Sequence, residues 1–150
     1  MHTVLDQPAD LLSLVGRPLG TTDWMEITQE RVNLFADATE DHQWIHTDPG
    51  RAINGPFKGT IAHGYLTLSL APVVISKVLE IRELTAALNY GIDKVRFPAP
   101  LRVGSQVRAT VTVMRARQKT AGLEAVFTLT YEIEGELRPA CVADVIVLYP

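Results

Sequence analysis

Apolar positions recur along this chain with two different periods, and the change from one to the other falls near residue 88. In the first half the period is helical. Thr21 to Ile27 reads as a short strand, and Thr28 then has the character of an N-cap, with Glu30 in the first turn behind it. Val32, Phe35, Ala36 and Thr39 follow at helical spacing, which predicts a helix over residues 29–38 with one buried side. From Glu40 to Thr60 no period survives, because Pro49, Gly50, Asn54, Gly55, Pro56 and Gly59 punctuate the segment. An irregular stretch of this length inside a compact domain is often functional. Ile61 to Ile81 is apolar on nearly every side, the signature of a helix in the middle of a domain, with a kink expected at Pro72.

After Leu88 the period is two. Val103, Ser105, Val107, Ala109, Val111 and Val113 share one face, and Gln106, Arg108, Thr110 and Thr112 the other. Leu123, Ala125, Phe127, Leu129, Tyr131 and Ile133 then alternate with Glu124, Thr128, Thr130, Glu132 and Glu134, with turns at Gly122 and Gly135. Arg138 to Tyr149 reads as the last strand. Strands with one wet and one dry face make an antiparallel sheet, and the apolar helix is the partner for its dry face. The expectation is an α+β fold: a long central helix wrapped by a curved antiparallel β-sheet.

The chain length of 150 residues suits a single domain over residues 1–150, and 47% hydrophobic with 21% charged residues suits a folded globular one. A net charge of −3 offers no basic face for phosphate backbones, so nucleic acid is not an expected partner. Cys141 is the single cysteine; it lies in an alternating strand, excludes an intrachain disulfide and fits a reducing compartment. Residues 1–10 lack the apolar core of a signal peptide. The run from Ile61 to Ile81 is interrupted by His63, Pro72, Lys77 and Glu80, and its uninterrupted part is too short to span a bilayer. A cytoplasmic protein with no membrane partner is therefore expected.

Asp41, His42, His46, Asp48 and His63 gather most of the chain's chemistry into one short segment. His42 and His46 have a spacing that suits two metal ligands on a helix, but Gln43 stands where the metalloprotease pattern needs Glu, and there is no Cys pair; no metal is expected. Gly-x-Ser-x-Gly, Gly-x-Gly-x-x-Gly and the P-loop are all absent. General acid–base work remains. A carboxylate and an imidazole, Asp41 and His46, can share the protons of one water. Ala62-His63-Gly64 at the start of the apolar helix offers unpaired N–H groups, and glycine allows a substrate carbonyl to approach. The same residues also suit plain structural roles: Asp41 in a turn, His46 on a surface loop, Gly64 in helix packing.

The segment Asp41-His42-Gln43-Trp44-Ile45-His46-Thr47-Asp48, followed by Ile61-Ala62-His63-Gly64-Tyr65-Leu66, resembles the hydratase-2 motif of the MaoC-like dehydratases, which include (R)-specific enoyl-CoA hydratases. Lys94-Val95-Arg96-Phe97-Pro98-Ala99-Pro100-Leu101-Arg102-Val103-Gly104 resembles the strand-and-turn signature of the same family, so the likeness spans roughly residues 15–148. Glu40 stands where the family usually has Gly, and Gln43-Trp44 where it has Asn-Pro. The resemblance implies the hot-dog fold and the reversible syn addition of water to a trans-2-enoyl-CoA. It implies Asp41 and His46 as the catalytic pair, and Gly64 as the oxyanion donor flanked by His63 and Tyr65 at the substrate. It implies no cofactor beyond the coenzyme A of the acyl-CoA substrate, and a homodimer. An acyl-CoA thioesterase, a dehydratase of carrier-protein thioesters and a non-catalytic acyl-CoA-binding module remain as alternatives; Lys94, Arg96 and Arg102 suit solvated strand-end charges first, and a CoA phosphate site or a docking face second.

Overall fold

The computed structural model describes residues 2–150. Strand β1 (Thr3–Leu5) leads into a 3-10 helix (Pro8–Leu14) and two short strands, β2 (Pro18–Thr21) and β3 (Met25–Glu26). Helix α1 (Gln29–Thr39) is followed by two single-turn helices, α2 (Trp44–Thr47) and α3 (Pro49–Ala52). Then come α4 (Gly64–Ser69), α5 (Ala71–Val78), β4 (Leu79–Ile81), β5 (Leu88–Arg96), β6 (Gln106–Lys119), β7 (Gly122–Ile133) and β8 (Cys141–Tyr149). One sheet runs in the order β2-β6-β7-β8-β5, with β3 also on β6; its pairings are antiparallel. A small parallel pair, β1 with β4, closes one end.

The dry face of the sheet is the one the alternation marks. Val107, Ala109, Val111 and Val113 on β6 and Leu123, Phe127, Leu129 and Tyr131 on β7 are buried, and Val74, Ile75 and Val78 of α5 pack into the same core. Burial of this kind is the main favourable term of folding, at about 25 cal/mol per Å² of apolar surface. Cys141 is buried opposite Tyr131, and burial pushes its thiol up to about 11, so it is a core side chain without thiolate character.

Several sequence expectations change at this level. The apolar run over residues 61–81 is two short helices in tandem, followed by a strand. Pro72 in the first turn of α5 has no N–H to continue the ladder, and the chain restarts at Leu70, which accepts from the Val74 N–H. Leu79–Ile81 leaves the helix because its backbone pairs with the N-terminal strand, a partner outside any local window. The expected strand over residues 21–27 divides in two because the Oγ1 of Thr22 itself accepts from the Ala109 N–H at 3.0 Å. Val103 and Ser105 belong to a turn built on Gly104 at φ +90°, so the dry face of β6 begins at Val107. The last strand begins at Cys141, not at Arg138. The irregular segment 40–60 contains α2 and α3. No helix among the described residues is long and apolar enough to cross a membrane.

Two ends of this frame matter for the site. Thr28 caps α1 through Oγ1 to the Arg31 N–H at 3.1 Å, as expected. At the other end Glu40 is the C-cap, at φ 63°, ψ 18°, in the left-handed region where glycine is at ease and a side chain is strained. The turn into Asp41 depends on that conformation. Glu40→Gly should therefore raise stability by up to about 1 kcal/mol, read from the urea midpoint at unchanged slope. A loss of stability would show that the Glu40 side chain contributes more than its backbone costs.

Candidate active site

Two of the catalytic candidates lie on the irregular connection and the rest at the start of α4; the backbone brings them together. Ile61 is the strap. Its N–H donates to the Ile45 carbonyl at 2.9 Å, it bridges Arg102, and the next N–H, of Ala62, donates to Leu101 at 2.8 Å. The Ile61 carbonyl accepts from His46 Nδ1 at 2.7 Å. A carbonyl can only accept, so Nδ1 carries the hydrogen and Nε2 carries the lone pair in the neutral ring. His46 is 6% exposed, and burial, the largest influence, lowers its pKa from the usual 6.5. The hydrogen bond to Ile61 opposes that shift, His63 adds to it, and Asp41 opposes it more weakly.

Gln29, the first residue of α1, fixes the same segment from behind. Its amide nitrogen donates to the His46 carbonyl at 2.7 Å and its oxygen accepts from Thr60 Oγ1 at 2.6 Å. Neither Gln29 nor Thr60 has a sequence signal of its own: each is an ordinary polar residue until the fold sets them side by side.

Asp41 follows the left-handed cap of α1. Its side chain is 51% exposed, with Oδ1 3.4 Å from the Gln43 N–H and Oδ2 4.0 Å from His63 Nε2. One polar atom from each of Asp41, His46 and His63 lies within 4.8 Å of the others, a gap that one water can bridge with two hydrogen bonds. His46 and His63 are stacked, with ring centroids 3.9 Å apart and planes at 24°.

Gly64 opens α4, and its N–H precedes the first bonded turn of that helix. A Cβ at this position would stand 3.2 Å from three ring carbons of Phe97, so a side chain here would crowd that ring by a few tenths of an ångström and glycine lets it lie close over the helix start. The signature segment 94–104 thus reaches the site through Phe97, which also packs on Tyr65 at 6.2 Å. Asp41, His46, His63, Gly64, Tyr65 and Phe97 surround a cavity of about 500 Å³, large enough for an acyl thioester head. Tyr65 is 70% exposed at its mouth, whereas His63 is 3% exposed and lies beneath His46. His42 and Asp48 are not part of the site: His42 faces Asp37 at 3.6 Å, and Asp48 caps α3 through the Arg51 N–H. A separate cleft of about 210 Å³ between α5 and β5, lined by Pro72, Ile75, Leu79 and Tyr149, is apolar and has no acid–base pair.

Set against known proteins, residues 10–135 match the model of the MaoC-like domain. The chain is 51% identical over 142 residues to 3-hydroxyacyl-thioester dehydratase Z of Mycobacterium tuberculosis, covering 94% of both chains. It is 36% identical over 87 residues to the (R)-specific enoyl-CoA hydratase of Rhodospirillum rubrum, covering 58% of each. The solved (R)-hydratase of A. caviae involved in PHA biosynthesis superposes with a TM-score of 0.74 at 25% identity, over 91% of this chain and 96% of that one.

The lowered pKa of His46 is directly measurable. A two-dimensional NMR titration should place its midpoint below 6.5, because burial opposes the charged ring. The sign for stability follows: the unfolded chain binds the proton more readily, so this contribution is complete above pH 6.5 and is lost as pH falls through the folded value. A midpoint above 6.5 would mean that Asp41 and the Ile61 carbonyl outweigh burial.

The sheet wrapped around the tandem helices is the hot-dog fold, and the chain belongs to the MaoC-like dehydratase family.

Proposed function

We propose that this protein catalyses the reversible syn addition of water to trans-2-enoyl thioesters, giving (R)-3-hydroxyacyl thioesters, with coenzyme A as the acyl carrier. The observation that carries the proposal is the tautomer of His46 beside Asp41: its Nδ1–H is held by Ile61 at 2.7 Å, which leaves Nε2 free to accept, and the imidazole and the Asp41 carboxylate come within 4.8 Å of each other, close enough to share one water. In the hydration direction the water oxygen bonds to C3 as one of its protons passes to the pair. The π electrons move onto the thioester oxygen, where the Gly64 N–H receives the developing charge. The pair returns a proton to C2 and is restored. Neither a metal nor a redox cofactor takes part. The names of the two relatives, a 3-hydroxyacyl-thioester dehydratase and an (R)-specific enoyl-CoA hydratase, describe the two directions of this one reaction. Lys58 and Arg102 line a mixed polar and apolar cleft of about 570 Å³ beside Thr60 and supply positive charge that CoA phosphates would need.

Kinetics with crotonyl-CoA test the proposal. The conjugated double bond should disappear without release of free thiol, and thiol appearing at the same rate would make the protein a thioesterase. Asp41→Asn should lower kcat by about 10²–10⁴-fold, with His46→Gln similar. The double variant should lose far less than the product of the two, because the groups act as a unit. A folded Asp41→Asn protein with normal turnover would contradict the assignment.

The same family reading extends to a homodimer. Strand β5 is one edge of the sheet, with Leu88 at 48%, Tyr90 at 61% and Ile92 at 47% exposure. An apolar edge of that length is an aggregation liability unless covered, and a second copy covers it by pairing edge to edge about a two-fold axis. Sedimentation should show a dimer at micromolar concentration that Ile92→Lys weakens. A stable wild-type monomer would contradict it.

A further inference from the structure

His63 stands immediately before Gly64, yet it has little access to a substrate: its side chain is 3% exposed. One neighbour is the His46 ring, stacked at 3.9 Å, and another is the Phe35 ring at 4.9 Å. Its Nε2 is 2.9 Å from the Asp41 carbonyl oxygen. Its Nδ1 is buried with no hydrogen-bond partner among the described residues. A buried N–H without an acceptor is costly, so in the neutral ring the hydrogen belongs on Nε2, where an acceptor exists, and Nδ1 keeps its lone pair. His63 therefore donates to the Asp41 backbone. The other ties on that turn are longer: the Asp41 N–H to Thr39 Oγ1 at 3.4 Å, and the Gln43 N–H to Asp41 Oδ1 at 3.4 Å.

We propose that His63 is a positioning residue: its Nε2–H bond to the Asp41 carbonyl ties the exposed turn to the start of α4, and its ring is the floor on which His46 rests. One buried side chain thereby sets the separation of the two groups that share the water. The inference rests on the reading of Asp41 and His46 as the acid–base pair. Imidazole suits this task because it combines a flat stacking face with a donor at the ring edge. Phenylalanine retains the face alone, and glutamine retains a donor at about the same reach.

The test compares His63→Phe, His63→Gln and Asp41→Asn in the full-length protein, with kcat and KM for crotonyl-CoA and the thermal midpoint measured for each. His63→Phe should lose about 10–10²-fold in kcat, the cost expected when a reacting group is misplaced by around 1 Å, with KM nearly unchanged. His63→Gln should recover most of that loss. Wild-type turnover in His63→Phe, or a His63→Gln protein as impaired as Asp41→Asn, would overturn the proposal. Long-range proton–nitrogen NMR of the wild-type protein gives a reading independent of whether the variants fold: hydrogen on Nε2 of His63 is expected, and hydrogen on Nδ1 would overturn it. Full activity in Asp41→Asn would instead remove the acid–base reading, a result separable from the tautomer of His63.

Discussion

The hydrogen bond from His46 Nδ1 to the Ile61 carbonyl joins the irregular connection to the segment that opens α4, and the chemistry proposed for the site depends on it. At 2.7 Å it selects the tautomer that leaves the lone pair on Nε2 of a ring lining the cavity. Its acceptor is itself immobilised, because Ile61 and Ala62 donate to Ile45 and Leu101. A base on a freely moving loop would have to be ordered in each turnover. Here the ordering is done in folding, and the entropy cost is carried by the core.

That core is the reason an irregular segment can hold a site at all. Strands β6, β7 and β8 share long antiparallel registers whose inner residues are wholly buried, and α5 packs on them with Val74 and Val78. The residues proposed for catalysis are on none of these strands. Asp41 and His46 sit on the connection between α1 and α4, and Gly64 where the chain enters α4, with Gln29 and Thr60 bracing His46 through two short hydrogen bonds. Burial acts on chemistry as well as on stability. It lowers the pKa of His46, which favours the neutral ring needed to accept a proton, while Asp41 remains half-exposed at the cavity mouth.

The strands were legible in the sequence because their information is local: a period of two over Leu123 to Ile133 can mean little else. The cap at Thr28 was legible for the same reason. What depended on distant partners was not. Leu79 to Ile81 continues an apolar run and becomes a strand only because Thr3 to Leu5 lies beside it. Asp41, His46 and Gly64 were readable as a motif, whereas the braces Gln29 and Thr60 and the ring of Phe97 were not, because their roles are contacts without any pattern of their own. Glu40 is an intermediate case. Its departure from the family's glycine is visible in the sequence, and only the structure shows that its backbone keeps the left-handed conformation glycine would take.

The central claim is that Asp41 and His46 handle one water from one side of the substrate. Hydration of a trans-2-enoyl thioester in D₂O tests it most directly, with the relative configuration of deuterium at C2 and hydroxyl at C3 read from proton NMR couplings. A pair placed together at one wall of the cavity should give a single diastereomer, the syn product. An anti product, or a mixture of the two, would mean that the oxygen and the proton arrive from separate groups, and that the proximity of Asp41 and His46 is not the basis of the reaction.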